Sequence, residues 1–81
     1  LYAIINLFKI QENLKKKKIS SSVELDLSIL QKSHIINKKC SKLKLLGVGD
    51  LDTKFDIKVN SISKSAKKKI EKIGGKVTLI K

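Results

Sequence analysis

Apolar and polar positions alternate in short blocks along this chain, and the period changes from block to block. YAIINL (Tyr2 to Leu7) is β-branched and apolar, as a buried strand is. FKIQENL follows as a short helix with Phe8, Ile10 and Leu14 turned inward. Lys15 to Lys18 and Ser20 to Ser22 carry no apolar period and form an exposed loop. VELDLSILQKSHII (Val23 to Ile36) contains a second helix, capped by Asp26, with Leu27, Leu30 and His34 along one face and Ile29 beside them. Asn37, Lys38 and Lys39 end it.

The second half alternates more cleanly. KLKLLG (Lys42 to Gly47) has period two and predicts a strand; Gly47-Val48-Gly49-Asp50 makes a hairpin-type turn; FDIKV (Phe55 to Val59) is the next strand. The last helix runs from about Lys64 to Ile73, with Ser63 as its N-cap. Ala66, Ile70 and Ile73 at i, i+4 and i+7 form one apolar stripe. Gly74 supplies a left-handed end. KVTLI (Lys76 to Ile80) closes the chain as a strand, with Val77 and Leu79 on one face. About four strands and three helices alternate, which is the pattern of an α/β domain. The expected core is Leu30, Leu45, Ile57, Ala66, Ile70, Ile73, Val77 and Leu79.

Length limits what that core can do. The chain has 81 residues, room for a single globular domain over 1–81. A domain of this size buries roughly 60% of its unfolded surface. Tyr2, Phe8 and Phe55 are the only aromatics, so the core is built from Ile, Leu and Val. A binding partner would add stability by mass action. Because the chain opens at Leu1 directly on a strand, an upstream segment is expected. No secretory-signal pattern stands at this N-terminus, and the apolar runs are too short to span a bilayer.

Charge changes the picture most. Nineteen basic residues, all lysine, face seven acidic ones, for a net charge of +12. Such an excess raises self-repulsion in the compact state and points to a polyanionic partner, nucleic acid first. The absence of arginine, with many Ile and Asn, fits an A+T-rich genome and inflates the lysine count.

Catalysis finds little to work with. His34 is the sole histidine and, beside Leu30, is expected to be a half-buried packing residue. Cys40 is the sole cysteine, which excludes an internal disulfide. Lysines near it would lower a thiol pKa, but no acid or second histidine stands at motif spacing. One His and one Cys cannot close a zinc site. LGVGDLD lacks the GxxxxGK of a phosphate loop and the third glycine of a dinucleotide fingerprint. Asp50 and Asp52 are ordinary surface carboxylates. No enzyme, cofactor, metal or small-molecule substrate is expected.

The last helix is different. Lys64, Lys68 and Lys72 line up opposite the apolar stripe, with Lys67 on one flank and Lys69 on the other. Like charges at i, i+4 cost about 0.2–0.5 kcal/mol per pair. The two pairs Lys64–Lys68 and Lys68–Lys72 therefore cost on the order of 1 kcal/mol. A lysine in the first turn adds to this by opposing the helix dipole. Phosphates against this face would reverse the sign. Ser63, Lys64 and Ser65 offer hydroxyls, charge and free amides at the helix start, and Lys67, Lys68 and Lys72 extend the basic face. Lys38, Lys39, Lys42 and Lys44 form a second group, with Lys42 and Lys44 on one side of their strand. Lys15 to Lys18 form a third, flexible one. Lysine neutralises phosphate well and reads bases poorly, and no aromatics are interleaved for base stacking. Contact with the backbone of a folded RNA or a duplex is expected. A lipid surface is not, because the apolar stripe of the last helix is needed for the core.

LKLLGVGDLDTKFDIKVNSISKSAKKKIEKIGGKVTLI resembles the C-terminal part of the bacterial-type large-subunit ribosomal protein L-fifteen family. The residues that carry the resemblance are Leu46 to Leu51 as the L-G-x-G-x-L turn, Ser63 to Ala66 as S-K-S-A, Ile70, and Gly74 to Val77 as G-G-K-V. YAIINL and VELDLSILQKSHII resemble the upstream strand and helix of the family, so nearly all 81 residues are covered. The resemblance implies an irregular superhelix of strand and helix units. It implies a structural, non-catalytic constituent of the large ribosomal subunit, with large-subunit rRNA and neighbouring ribosomal proteins as partners. Val48 departs from the polar turn residue usual there, and arginine is missing. The long Gly- and Arg/Lys-rich arm with which the family penetrates rRNA is absent from this chain, so the domain is expected to cap an rRNA surface. The compartment, whether bacterial cytoplasm, mitochondrion or plastid, stays open. The alternative from charge alone is a free-standing basic RNA- or DNA-binding module outside the ribosome.

Overall fold

The computed structural model describes residues 1–80. Eight elements follow in order: β1 (Tyr2–Asn6), α1 (Leu7–Lys15), α2 (Leu27–Lys32), β2 (Lys42–Leu46), β3 (Asp56–Val59), β4 (Ser61–Ile62), α3 (Lys64–Lys72) and β5 (Lys76–Leu79). The α/β class expected from the alternation is correct. The strands number five, because two-residue β4 is too short to leave a periodic signal.

Two small sheets form, and every strand pair in them is parallel. The first has the order β1-β2-β4, with Ile4 opposite Lys44 and Lys44 opposite Ser61. The second pairs β3 with β5, Ile57 opposite Val77, and Leu25 adds a single parallel bridge to Ile57. Asn60 marks the point where the chain leaves one sheet for the other. Its amide donates to the Leu43 carbonyl at 2.9 Å, and its side-chain oxygen accepts from the Leu43 amide at 2.9 Å. One residue thus does the hydrogen bonding of a strand partner at a corner.

Parallel pairs need crossovers, not hairpins. The segment after β2 is therefore a crossover between sheets, and the hairpin-type turn expected at Gly47 to Asp50 does not form. Both glycines answer to close packing instead. A Cβ on Gly47 would collide with the Ser65 side chain and lie 2.8 Å from the Ala66 amide nitrogen. Gly49 has φ +112° and lies against the Phe8 backbone, whose amide bonds the Val48 carbonyl at 3.0 Å.

Alternate strand residues meet in one core. Ala3, Ile5, Leu43, Leu45, Ile57 and Val59 face inward from the strands, and Leu7, Ile10, Leu14, Leu30, Ala66 and Ile70 cover them from the helices. Five of the eight expected core residues, Leu30, Leu45, Ile57, Ala66 and Ile70, are fully buried. Ile73 and Val77 are half-buried. Leu79 is 58% exposed, as the last residue of an edge strand. Phe8 also faces outward, at 48% exposure. Because α1 begins at Leu7, its inward positions are Leu7, Ile10 and Leu14, and Phe8 falls on the opposite side.

The helix ends share one device. In α1, α2 and α3 the residue after the C-cap is left-handed: Lys17 and His34 at φ 60°, Gly74 at φ 87°. In each, two amides fold back on the last turn, as Ile35 does to Leu30 and His34 to Gln31 in α2. This stops α2 at Lys32. His34 consequently lies beyond the helix and is exposed, not half-buried beside Leu30. Asp26 caps α2 as expected, accepting from the Ile29 amide at 2.9 Å.

Candidate nucleic-acid interface

Ser63 positions the start of α3. Its hydroxyl accepts from the Ala66 amide at 3.2 Å, and its own amide donates to the Leu45 carbonyl at 3.0 Å. The helix start is thereby tied to the C-terminal end of β2. The Lys64 and Ser65 amides occupy the first two helical positions and have no intrahelical acceptor. The Ser65 hydroxyl sits 3.3 Å from that of Ser63.

Ala66 and Ile70 are buried, so the rest of the helix must face outward, and Lys64, Ser65, Lys67, Lys68 and Lys72 are exposed. Lys69 is the exception. Its ammonium donates to the Gly47 and Gly49 carbonyls, each at 2.8 Å, and straps the glycine crossover to the helix. Lys72 lies at the far end, where a cleft of about 340 Å³ is lined by Asp50, Leu51, Lys69, Lys72 and Ile73.

The sheet brings part of the second lysine group into continuity with this helix. Lys42 and Lys44 share the outer face of β2, opposite Tyr2 and Ile4 of β1. The Lys42 ammonium lies 5.7 Å from the centre of the Tyr2 ring. On the other side Lys44 faces Ser61 of β4, two residues before the Ser63 cap. Lys42, Lys44, Ser61, Ser63, Lys64 and Ser65 thus follow one another across the sheet and into the helix start.

Lys38 and Lys39 lie at the Lys42 end of this row, away from the α3 start. They precede β2, whose ends are about 13 Å apart at the rise of an extended strand. Lys38 lines a cleft of about 540 Å³ with Ser28, Gln31, Lys32 and His34. Lys32 is not among the residues the sequence singled out, and His34 was expected only to pack beside Leu30. Lys32 is the last residue of α2, and His34 lies just beyond its C-cap.

Acidic residues neutralise few of these cations. Among the described residues two ion pairs form, Lys16 with Glu12 at 3.0 Å and Lys58 with Glu24 at 3.5 Å. The hydrogen bond from Lys16, then its charge and that of Lys9, hold the Glu12 carboxyl below its ordinary value. None of the candidate lysines takes part in either pair. Cys40 is free and half-buried. No helix among the described residues is long and apolar enough to cross a membrane.

The model of a family described as ribosomal proteins 50S-L15, 50S-L18e and 60S-L27A matches residues 4–78. The chain belongs to this family. Members similar to it include the large ribosomal subunit protein uL15 of Pelagibacter ubique, 44% identical over 79 residues, covering 98% of this chain and 52% of that protein. The uL15 of Mycoplasma mycoides is 46% identical over 79 residues, covering 98% of this chain and 50% of its own length. The uL15 of Phenylobacterium zucineum is 34% identical over 80 residues, covering 99% and 49%. This member of the L15 family therefore spans about half the length of the curated relatives it matches.

Proposed function

We propose that this chain is a structural, non-catalytic constituent of a large ribosomal subunit that holds rRNA by lysine–phosphate contacts. The observation that carries the reading is the unpaired cationic surface on a fixed frame: Lys42 and Lys44 on β2, Ser63, Lys64 and Ser65 at the start of α3, and Lys67, Lys68 and Lys72 along its exposed side. The relatives' names agree with it. Ammonium groups held apart without carboxylates repel one another, and a phosphate backbone turns that repulsion into attraction. Lys39 adds to the field from the far end of β2.

Packing against neighbouring ribosomal proteins belongs to the same reading. Tyr2 and Ile4 are 46% and 63% exposed on the outer face of β1, and Phe8 and Val48 are exposed where α1 meets the crossover. Exposed apolar side chains of this kind suit a protein contact.

Sedimentation tests the assignment. The tagged protein should co-migrate with large subunits after a high-salt wash, and Lys64→Glu should lower its occupancy. Recovery only in the ribosome-free fractions would favour a basic nucleic-acid module outside the ribosome. Retention with full tolerance of Lys64→Glu would remove the α3 start from the interface.

A further inference from the structure

We propose that the cleft between α2 and the segment before β2 is a second RNA-backbone site, in which Lys32, His34 and Lys38 hold a phosphodiester. The proposal rests on the rRNA-binding reading above and concerns residues outside the α3 face.

Five side chains line the cleft, Ser28, Gln31, Lys32, His34 and Lys38, around a volume of about 540 Å³. Four carry nitrogen donors, two of them ammonium groups, and none is a carboxylate. α2 itself, LSILQK, contains no acidic residue. Neither Lys32 nor Lys38 enters either of the ion pairs found among the described residues.

The obvious structural role for these cations is to neutralise the negative end of α2. Three of the carbonyls there already have partners. Ile29, Leu30 and Gln31 accept from the amides of Ser33, Ile35 and His34 at 3.0, 3.0 and 3.1 Å. The carbonyls of the following segment are held as well: the Gln31 side-chain amide donates to Asn37, Lys38 and Cys40 at 3.2, 3.3 and 2.8 Å. That clamp fixes the backbone carrying Lys38 against the helix. These carbonyl oxygens are occupied internally, and the cationic side chains are left for an outside anion.

The turn that ends α2 also fixes the place of His34 at the cleft. His34 sits at φ 60°, where glycine is the low-strain residue. The Ser33 hydroxyl reaches the Lys18 carbonyl at 3.4 Å, which ties the end of the Lys15–Lys18 run to the residue before His34. A single ammonium would hold a phosphate loosely; an imidazole in the same cleft adds a directional donor.

The test compares affinities of the full protein for deproteinised large-subunit rRNA across salt concentrations. His34→Gly relieves the left-handed strain, so its unfolding midpoint should rise while rRNA binding weakens several-fold. Lys38→Ala and Lys32→Ala should each weaken binding and flatten the log–log salt slope by about 0.7 to 0.9. Lys54→Ala, an equal loss of charge beside Gly74, should do neither. The sole imidazole gives a local readout: its ring-proton resonances should move on addition of a short RNA duplex, and not in Lys38→Ala.

Normal rRNA binding by His34→Gly and Lys38→Ala, alongside weakened binding by Lys64→Glu, would overturn the cleft and leave the α3 reading standing. Failure of the wild-type protein to bind rRNA would overturn both. If inorganic phosphate moves the imidazole signals while the cleft variants bind rRNA normally, the cleft is a small-anion site and the proposal is wrong.

Discussion

Lys69 carries the same charge as Lys67 and Lys68 and does something different with it. Its two hydrogen bonds to glycine carbonyls make it part of the fold, whereas its neighbours meet only water in the isolated chain. Lys69→Ala should therefore cost about 1–3 kcal/mol in urea unfolding, the range for charged hydrogen bonds. Lys68→Ala removes both i, i+4 repulsions and should be neutral or stabilising by up to about 1 kcal/mol. Their effects on rRNA affinity should run the other way, with Lys68→Ala the more damaging. Equal unfolding midpoints for the two variants would contradict this division. The sequence could not make the distinction, because the strap depends on two carbonyls twenty or more residues away.

Among the elements, all three helices stop by the same left-handed turn, and only α3 has a glycine there. Lys17→Gly should accordingly raise stability by about 1 kcal/mol, since a left-handed non-glycine residue costs roughly 1–2 kcal/mol and glycine returns part of that in chain entropy. A fall in the unfolding midpoint would show that the Lys17 side chain is held by contacts outweighing its strain. Ser63→Ala should cost about 1 kcal/mol by uncapping α3. The period of three or four residues made α3 legible from Ser63 to Gly74, and period two made β2 and β3 legible. Such patterns record which side of an element is buried. They do not record which strand lies alongside, so the parallel pairing, the crossover at Gly47 and the corner at Asn60 were out of reach. Phe8 was misplaced for a related reason: moving a helix start by one residue turns each side chain by about 100°.

For the whole molecule, a net charge of +12 on 81 residues resists compaction and favours any partner that neutralises it. Stability should therefore rise with added salt at low ionic strength, as screening lowers the repulsion, while rRNA affinity falls. The candidate site was half legible. Composition and the spacing of Ser63 to Lys72 pointed to the helix, but its continuity with Lys42 and Lys44 runs through β4, and Lys38 belongs to another cleft. The measurement that bears most directly on the central claim is the salt dependence of binding to deproteinised large-subunit rRNA, compared between the wild-type protein and a Lys64→Gln, Lys67→Gln, Lys68→Gln triple variant. Three lost phosphate contacts should flatten the log–log slope by about two to three units with the fold intact. An unchanged slope would mean that these lysines face solvent in the complex as they do in the free chain, and the proposed interface would be wrong.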